Sequence, residues 1–179
     1  TPNLPASSRF FHATVVRSTA VHLIVMKASL QRVSEASAIA LNELGTPDPT
    51  FDMVQIGPGL VLTIEVEPDD DEGTLARMAH RVLTLRCFDG PQGQLSSSVQ
   101  EMHGEILSIP QPLTILRRPA IGRPQLVSHN DDDEHANLMW IRFNEALRSG
   151  NVPVREGRFG ARMRVGSVAD GPFQFTLQE

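Results

Sequence analysis

Tyrosine is absent, tryptophan and cysteine occur once each, and Lys27 is the only lysine. A lone Cys87 allows no internal disulfide, which excludes a disulfide-stapled scaffold and fits a reducing compartment. No apolar run approaches the roughly 18–20 residues of a membrane-spanning helix. The best one, Val21 to Met26, is broken by His22 and closed by Lys27, so no membrane partner is expected. Walker, dinucleotide and nucleophile-elbow patterns are missing. His129 and His135 flank three Asp residues at a spacing that matches no closed zinc site, and neither a metal nor a cofactor is expected. Ser96 to Ser98 lie near His103 without the third, orienting group of a catalytic triad. The side chains thus offer no ready-made nucleophile.

What is present describes one globular domain. The 179 residues are 40% apolar and 21% charged, enough for a single sizeable core. The net charge of −5 is uneven, because eight of the 21 acids fall in two runs, Asp69 to Glu72 and Asp131 to Glu134. The remaining 13 acids face 16 bases, 15 of them arginine, the better bidentate phosphate binder. A biased genomic base composition accounts for the arginine excess equally well. Residues 1–25 form an N-terminal extension and residues 26–179 the domain. Thr1 to Thr19 has Arg9, His12 and Arg17 but no acid, so an organellar address and extra packing both remain open.

Patterning predicts strands over His22 to Val33, Ala36 to Leu41, Leu60 to Val66, Leu85 to Phe88 and Glu105 to Ile109. The two acid runs each head a helix, complementing its dipole. Leu75, Met78, Ala79, Val82 and Leu83 line the inner face of the first helix. Leu138, Met139, Ile141 and Phe143 face inward on the second, which ends with Gly150 as its left-handed cap. Two closing strands, Arg162 to Ala169 and Phe173 to Gln178, flank a turn at Asp170-Gly171-Pro172. Cys87 reads as a small buried hydrophobe. The expected fold is α/β, bordering on α+β, with a mixed sheet and two helices on one side.

Five segments in order carry a family resemblance from Met26 to the C-terminus. They are Met26-Lys-Ala-Ser-Leu-Gln-Arg-Val33, Ile56-Gly-Pro-Gly-Leu60, Ser98-Val-Gln100 with Gly104-Glu-Ile-Leu107, Gly157-Arg-Phe-Gly-Ala161 with Met163, and Asp170-Gly171-Pro172. Together they resemble the D-aminoacyl-tRNA deacylases, homodimeric proofreading hydrolases with a three-layer fold built on a mixed sheet or open barrel. Two motifs depart from the family pattern. Ile109-Pro110-Gln111-Pro112-Leu113-Thr114 stands where Ser-Gln-x-Thr-Leu is usual, and Ala169-Asp-Gly-Pro-Phe-Gln174 stands where Asn-x-Gly-Pro-x-Thr is usual. Pro-Gln and Gly-Pro-Phe are more similar to the animal-type branch that removes L-alanine from a threonine tRNA.

The resemblance implies cytoplasmic hydrolysis of the ester joining a D-amino acid to the terminal ribose of tRNA, which releases both. It assigns Gly171 and Pro172 to a filter that excludes L side chains from the partner subunit's pocket, with Arg32 as its brace. Phe159, Met163 and Pro110 become pocket wall, Gln111 and Thr114 the catalytic pocket strand, and Arg117, Arg118, Arg123 and Arg158, with Arg155, Arg162 and Arg164 near the same segment, contacts to the tRNA acceptor end. Each residue has a plainer reading: a turn at Gly171-Pro172, a surface strand residue at Arg32, core at Phe159 and Met163, and a solvated arginine face. The rival functions are a deacylase for a small L-amino acid and a tRNA-binding family member without catalysis.

Overall fold

The computed structural model describes residues 26–111, 114–117, 125–128 and 133–179. The N-terminal extension, the predicted strand start at His22, His129 and the acids Asp131 and Asp132 lie outside the described residues. Ten strands and two helices follow in order: β1 (Lys27–Leu41), β2 (Val54–Ile56), β3 (Gly59–Glu65), α1 (Glu72–Thr84), β4 (Phe88–Gly90), β5 (Gly93–Ser97), β6 (Glu105–Pro110), β7 (Thr114–Arg117), β8 (Gln125–Ser128), α2 (Asp133–Ser149), β9 (Val154–Glu156) and β10 (Arg162–Gln178). The main sheet runs β10-β1-β3-β6-β9, with β2 on β1, and β4-β5 and β7-β8 form separate two-stranded ribbons.

The sheet is mixed as expected. β10, β1 and β3 are antiparallel neighbours, whereas β3-β6 and β6-β9 are parallel. Parallel neighbours require crossovers, and α1 and α2 supply them. Both helices pack on one face, where α1 residues Leu75, Met78 and Val82 and α2 residues Met139, Phe143 and Leu147 meet Leu30, Leu62, Ile64 and Ile106 of the sheet. A smaller cluster of Val33, Ala36, Ala38, Ile56 and Leu107 fills the other face, where the second half of β1 curls toward β2. The curl gives the sheet its open-barrel form.

Where two strands are predicted at each end of the domain, the structure has one. β1 continues through the exposed Ser34-Glu35 because its ladder with β10 shifts register between Gln31 and Val33 and again between Val33 and Glu35. Such bulges bend and twist a strand without ending it. β10 likewise continues beyond Asp170-Gly171-Pro172, which leaves the ladder as a bulge between the pairs Val33–Ala169 and Gln31–Gln174 without ending the strand. The strand expected at Leu85 to Phe88 begins only at Phe88.

α1 forms as its sequence dictates. The Asp71 carboxylate caps it by accepting the Thr74 N–H at 2.8 Å, and Glu72 occupies the first turn. Asp70 instead turns inward and accepts the Glu67 N–H at 2.7 Å, and burial raises its pKa above the usual carboxylate range. On α2 the inward stripe is Ala136, Met139, Trp140, Phe143 and Leu147, and Leu138 and Ile141 are 44% and 40% exposed, against expectation. Each is next in sequence to a stripe residue and so lies about 100° around the helix from it. The left-handed residue after α2 is Asn151, with φ 60°, and not Gly150. Gly150 is required for a different reason: a Cβ there would lie 2.6 Å from Leu83 Cδ1 of α1. Among the described residues no helix is long and apolar enough to cross a membrane.

Phe143 is fully buried at the helix–sheet junction, so Phe143→Ala should cost about 3–5 kcal/mol of unfolding free energy, measurable by urea denaturation. Cys87 is also fully buried, and burial pushes its thiol up to about 11 against a smaller opposing pull from Arg32. At pH 7.5 the thiol is therefore protonated and shielded. An aromatic disulfide reagent should leave it unmodified in the native protein and titrate one thiol per chain after denaturation.

Candidate functional site

Arg32 sits in β1 at the first register shift, where Gln31 pairs with Gln174 and Val33 with Ala169. Four β10 residues, Asp170 to Phe173, therefore stand opposite a single residue of β1. The Arg32 side chain, 5% exposed with the whole residue counted, spans that excursion. Its Nε donates to the Asp170 carbonyl at 3.0 Å and lies 3.1 Å from Asp170 Oδ2. Its Nη1 donates to the Cys87 carbonyl at 2.8 Å, and Asp89 Oδ1 is 3.8 Å away. The guanidinium plane covers the Phe173 ring at 4.3 Å and reaches Phe88 at 5.9 Å. A fork of several donors that also stacks on an aromatic ring is a property of arginine that lysine lacks.

Gly171 is the exposed centre of the excursion, with φ +126°, a conformation that side-chain-bearing residues rarely adopt. A Cβ there would lie 2.3 Å from Phe173 Cδ2. Phe173 cannot readily move aside, because it is stacked against Phe175 at 6.3 Å with the ring planes 8° apart and lies beneath Arg32. Position 171 thus presents backbone to solvent and is held from both flanks.

A second group of the predicted residues gathers where β6 ends. Pro110 closes β6, and the Gln111 N–H extends the ladder by donating to the Ile64 carbonyl at 3.1 Å. The segment after β9 is tied to the same strand, since the Gly157 N–H donates to the Ser108 carbonyl at 2.9 Å. A Cβ on Gly157 would lie 2.5 Å from Met163 Cε and 3.3 Å from Pro110 Cδ, so Met163 and Pro110 flank one stretch of backbone. Phe159 is half-buried against Trp140, the ring centroids 6.2 Å apart. Pro110, Gln111, Phe159 and Met163 thus come together. Gly171 stays apart, because the eight residue-to-residue steps of β10 from Met163 to Gly171 span about 25 Å of extended chain.

The predicted basic residues fare differently. Arg158 binds within the chain: it donates to Asp48 Oδ2 at 2.8 Å, Thr50 Oγ1 at 3.0 Å and the Thr50 carbonyl at 2.6 Å, and covers Phe51 at 5.0 Å. The Asp48 pKa is lowered, first by hydrogen bonds from Thr50 and then by Arg158. Arg155, Arg162 and Arg164 are exposed. Thr114 and Arg117 open and close β7, while Arg118, Arg123 and Pro112 lie outside the described residues. Ser98 and Glu101 cap each other's backbone, with the Ser98 N–H donating to Glu101 Oε2 at 2.8 Å and the Glu101 N–H to Ser98 Oγ at 3.3 Å. Among the described residues no three His, Cys, Asp or Glu side chains gather as a metal site. An open groove of about 740 Å³, lined by Ser34, Ser37, Gln55, Glu105, Arg155 and Ser167 among others, holds none of the residues predicted for the pocket or the filter.

Sequence reasoning misses Phe173 as the ring under Arg32, and it misses the pair Trp140 and Ser108 behind Phe159. Trp140 Nε1 donates to Ser108 Oγ at 3.0 Å, and both residues are buried. The single tryptophan, on a helix facing the sheet, is the only signal that points there.

Comparison with known proteins identifies the family and the fold. The family model described as D-Tyr-tRNA(Tyr) deacylase matches residues 29–178. The D-aminoacyl-tRNA deacylase of Bifidobacterium longum subsp. infantis is 53% identical over 152 residues, which is 85% of this chain and 93% of the relative. That of Bifidobacterium adolescentis is 38% identical over 148 residues, covering 82% and 92%. Of solved structures, the c-Myc DNA Unwinding Element Binding Protein superposes with a TM-score of 0.68 at 28% identity, over 86% of this chain and 98% of its own. A probable eukaryotic D-amino acid tRNA deacylase shares the fold with a TM-score of 0.65 at 17% identity, over 87% of this chain and 100% of its own. By the extent of the family match and the identity of its relatives, the chain belongs to the D-Tyr-tRNA(Tyr) deacylase family.

Proposed function

We propose that this chain hydrolyses the ester bond between a D-amino acid and the terminal ribose of tRNA, releasing both and so clearing mischarged tRNA during translation. The observation that carries this reading is Gly171: exposed backbone held at φ +126° by Phe173 and Arg32, in a family whose named members are deacylases. An aminoacyl ester is already activated, so positioning and backbone donors suffice where no nucleophile is built. Cys87, buried and protonated, is not a candidate nucleophile.

The selectivity follows from the shape of a peptide. Gly171 and Pro172 occupy the space into which an L side chain would project, while a D side chain points away from them. The separation of Gly171 from Phe159 and Met163 supports an active homodimer, in which the Gly171-Pro172 backbone of one copy completes the pocket formed by Pro110, Gln111, Thr114, Phe159 and Met163 of the other. Pro110 and Pro112 carry no N–H, and the Gln111 N–H is taken by Ile64, so an oxyanion donor on this strand comes from beyond position 112. Arg117, Arg118 and Arg123 are suited to the acceptor-end phosphates, whereas Arg158 acts as a latch on the Asp48 to Phe51 loop. The reading places the activity in the cytoplasm, where charged tRNA is used, and treats residues 1–25 as an appendage to the catalytic domain.

A panel of D-Tyr-tRNA, Gly-tRNA, L-Tyr-tRNA and L-Ala on a threonine tRNA tests this. The wild type should cleave the D-Tyr substrate and spare L-Tyr. The double substitution Gly171→Ala, Pro172→Ala should lower kcat/KM on D-Tyr-tRNA by about 100-fold, the scale of a misplaced contact at the reacting centre. Preferential cleavage of the L-alanyl substrate would instead favour the second reading, suggested by Pro110-Gln111 and Gly171-Pro172-Phe173. Retained tRNA binding with no cleavage at all would identify a binding protein. Arg32→Lys keeps the charge but loses the fork and the stacking plane, so kcat/KM should drop by about 10–100-fold while L-Tyr rejection weakens, both readable in the same assay.

A further inference from the structure

Trp140 and Ser108 form a buried pair between α2 and the middle of β6, in which a core indole is also held by a specific hydrogen bond. The indole Nε1 donates to Ser108 Oγ at 3.0 Å, which fixes the ring's rotation. The other main-chain side of Ser108 is also committed, because its carbonyl accepts the Gly157 N–H at 2.9 Å. One residue of β6 thereby holds α2 through its hydroxyl and the Gly157 to Ala161 segment through its carbonyl. Phe159 leans on the fixed indole with its plane tilted by 42°, and remains half-buried. Met163 Sδ accepts the neighbouring Arg158 N–H at 3.1 Å, which ties the second wall residue to the same segment. A serine inside a strand flanked by Leu107 and Ile109 needs a partner for its hydroxyl, and the indole is that partner.

We infer that the Trp140–Ser108 pair is a positioning device that sets the Phe159 wall of the substrate pocket, so that the fit of the aminoacyl-nucleoside end is controlled from α2. The inference rests on the deacylase reading in assigning Phe159 to the pocket. Trp140 and Ser108 act through Phe159 and touch no reacting atom.

The experiment uses the full-length chain and a non-hydrolysable amide analogue, 3′-(D-tyrosylamino)-3′-deoxyadenosine. Trp140 is the only tryptophan, so its emission reports on this ring alone. Titrating the analogue should change the intensity or wavelength of that emission with the same midpoint at which it inhibits deacylation. Ser108→Ala and Trp140→Phe should each raise KM for D-Tyr-tRNA about tenfold with kcat changed less than about twofold. The double variant should be no worse than the weaker single one, since both break one bond. Ser108→Thr, which keeps the hydroxyl, should restore KM to within about twofold. Lowered melting temperatures with unchanged KM in both single variants would show a merely structural bond and overturn the inference, as would a silent emission titration in an enzyme that the analogue inhibits; either result leaves the deacylase reading intact. Absence of both hydrolysis and analogue binding would overturn the reading and the inference together. Should Ser108→Ala fail to fold, Trp140→Phe still decides.

Discussion

The guanidinium of Arg32 ties together parts of the chain that no ladder connects. It is a charge almost wholly removed from water, a state that is costly unless every donor finds an acceptor. Here the acceptors are the Cys87 carbonyl, at the entry to the β4-β5 ribbon, and Asp170, at the start of the β10 excursion. Phe173 covers the flat face of the group. Removing either acceptor would leave a buried donor unsatisfied, so the conformation of Gly171 is maintained by the energetics of a charge and not by the turn preference of Asp-Gly-Pro alone.

The same economy operates at the other candidate site. Ser108 uses two polar atoms to fasten two elements, and Gly157 brings Met163 and Pro110 to one place. The chemistry expected of the family needs fixed backbone and fixed walls, and this chain supplies both through interactions between elements distant in sequence.

Much of the fold is legible locally. The α1 stripe is complete at Leu75, Met78, Ala79, Val82 and Leu83, and its acid run contains the observed cap at Asp71. α2 misleads, because its apolar residues cover more than one face, and only packing against β6 and β9 decides that Trp140 and Leu147 turn inward while Leu138 and Ile141 do not. At β1 and β10 the polar pair Ser34-Glu35 and the Asp-Gly-Pro triplet read as endings, yet each strand continues because its partner continues. The roles suggested for Gly171, Phe159 and Met163 came from the family motifs. Their bracing by Phe173, Trp140 and Ser108 was invisible, because Ser108 and Trp140 are 32 positions apart and carry no spacing signature.

β10 also acts as a ruler. It carries Met163 near one end and Gly171 farther along a single 17-residue strand, so the interval between these two positions is set by a continuous strand, its register shifts included, and not by a separate loop. Away from its bulges, a paired strand does not absorb an insertion, since one added residue turns every later side chain to the opposite face. An insertion between Met163 and Ala169 would therefore have to be taken up by a further bulge, whereas one in the turn after Leu41 would leave the ladder untouched.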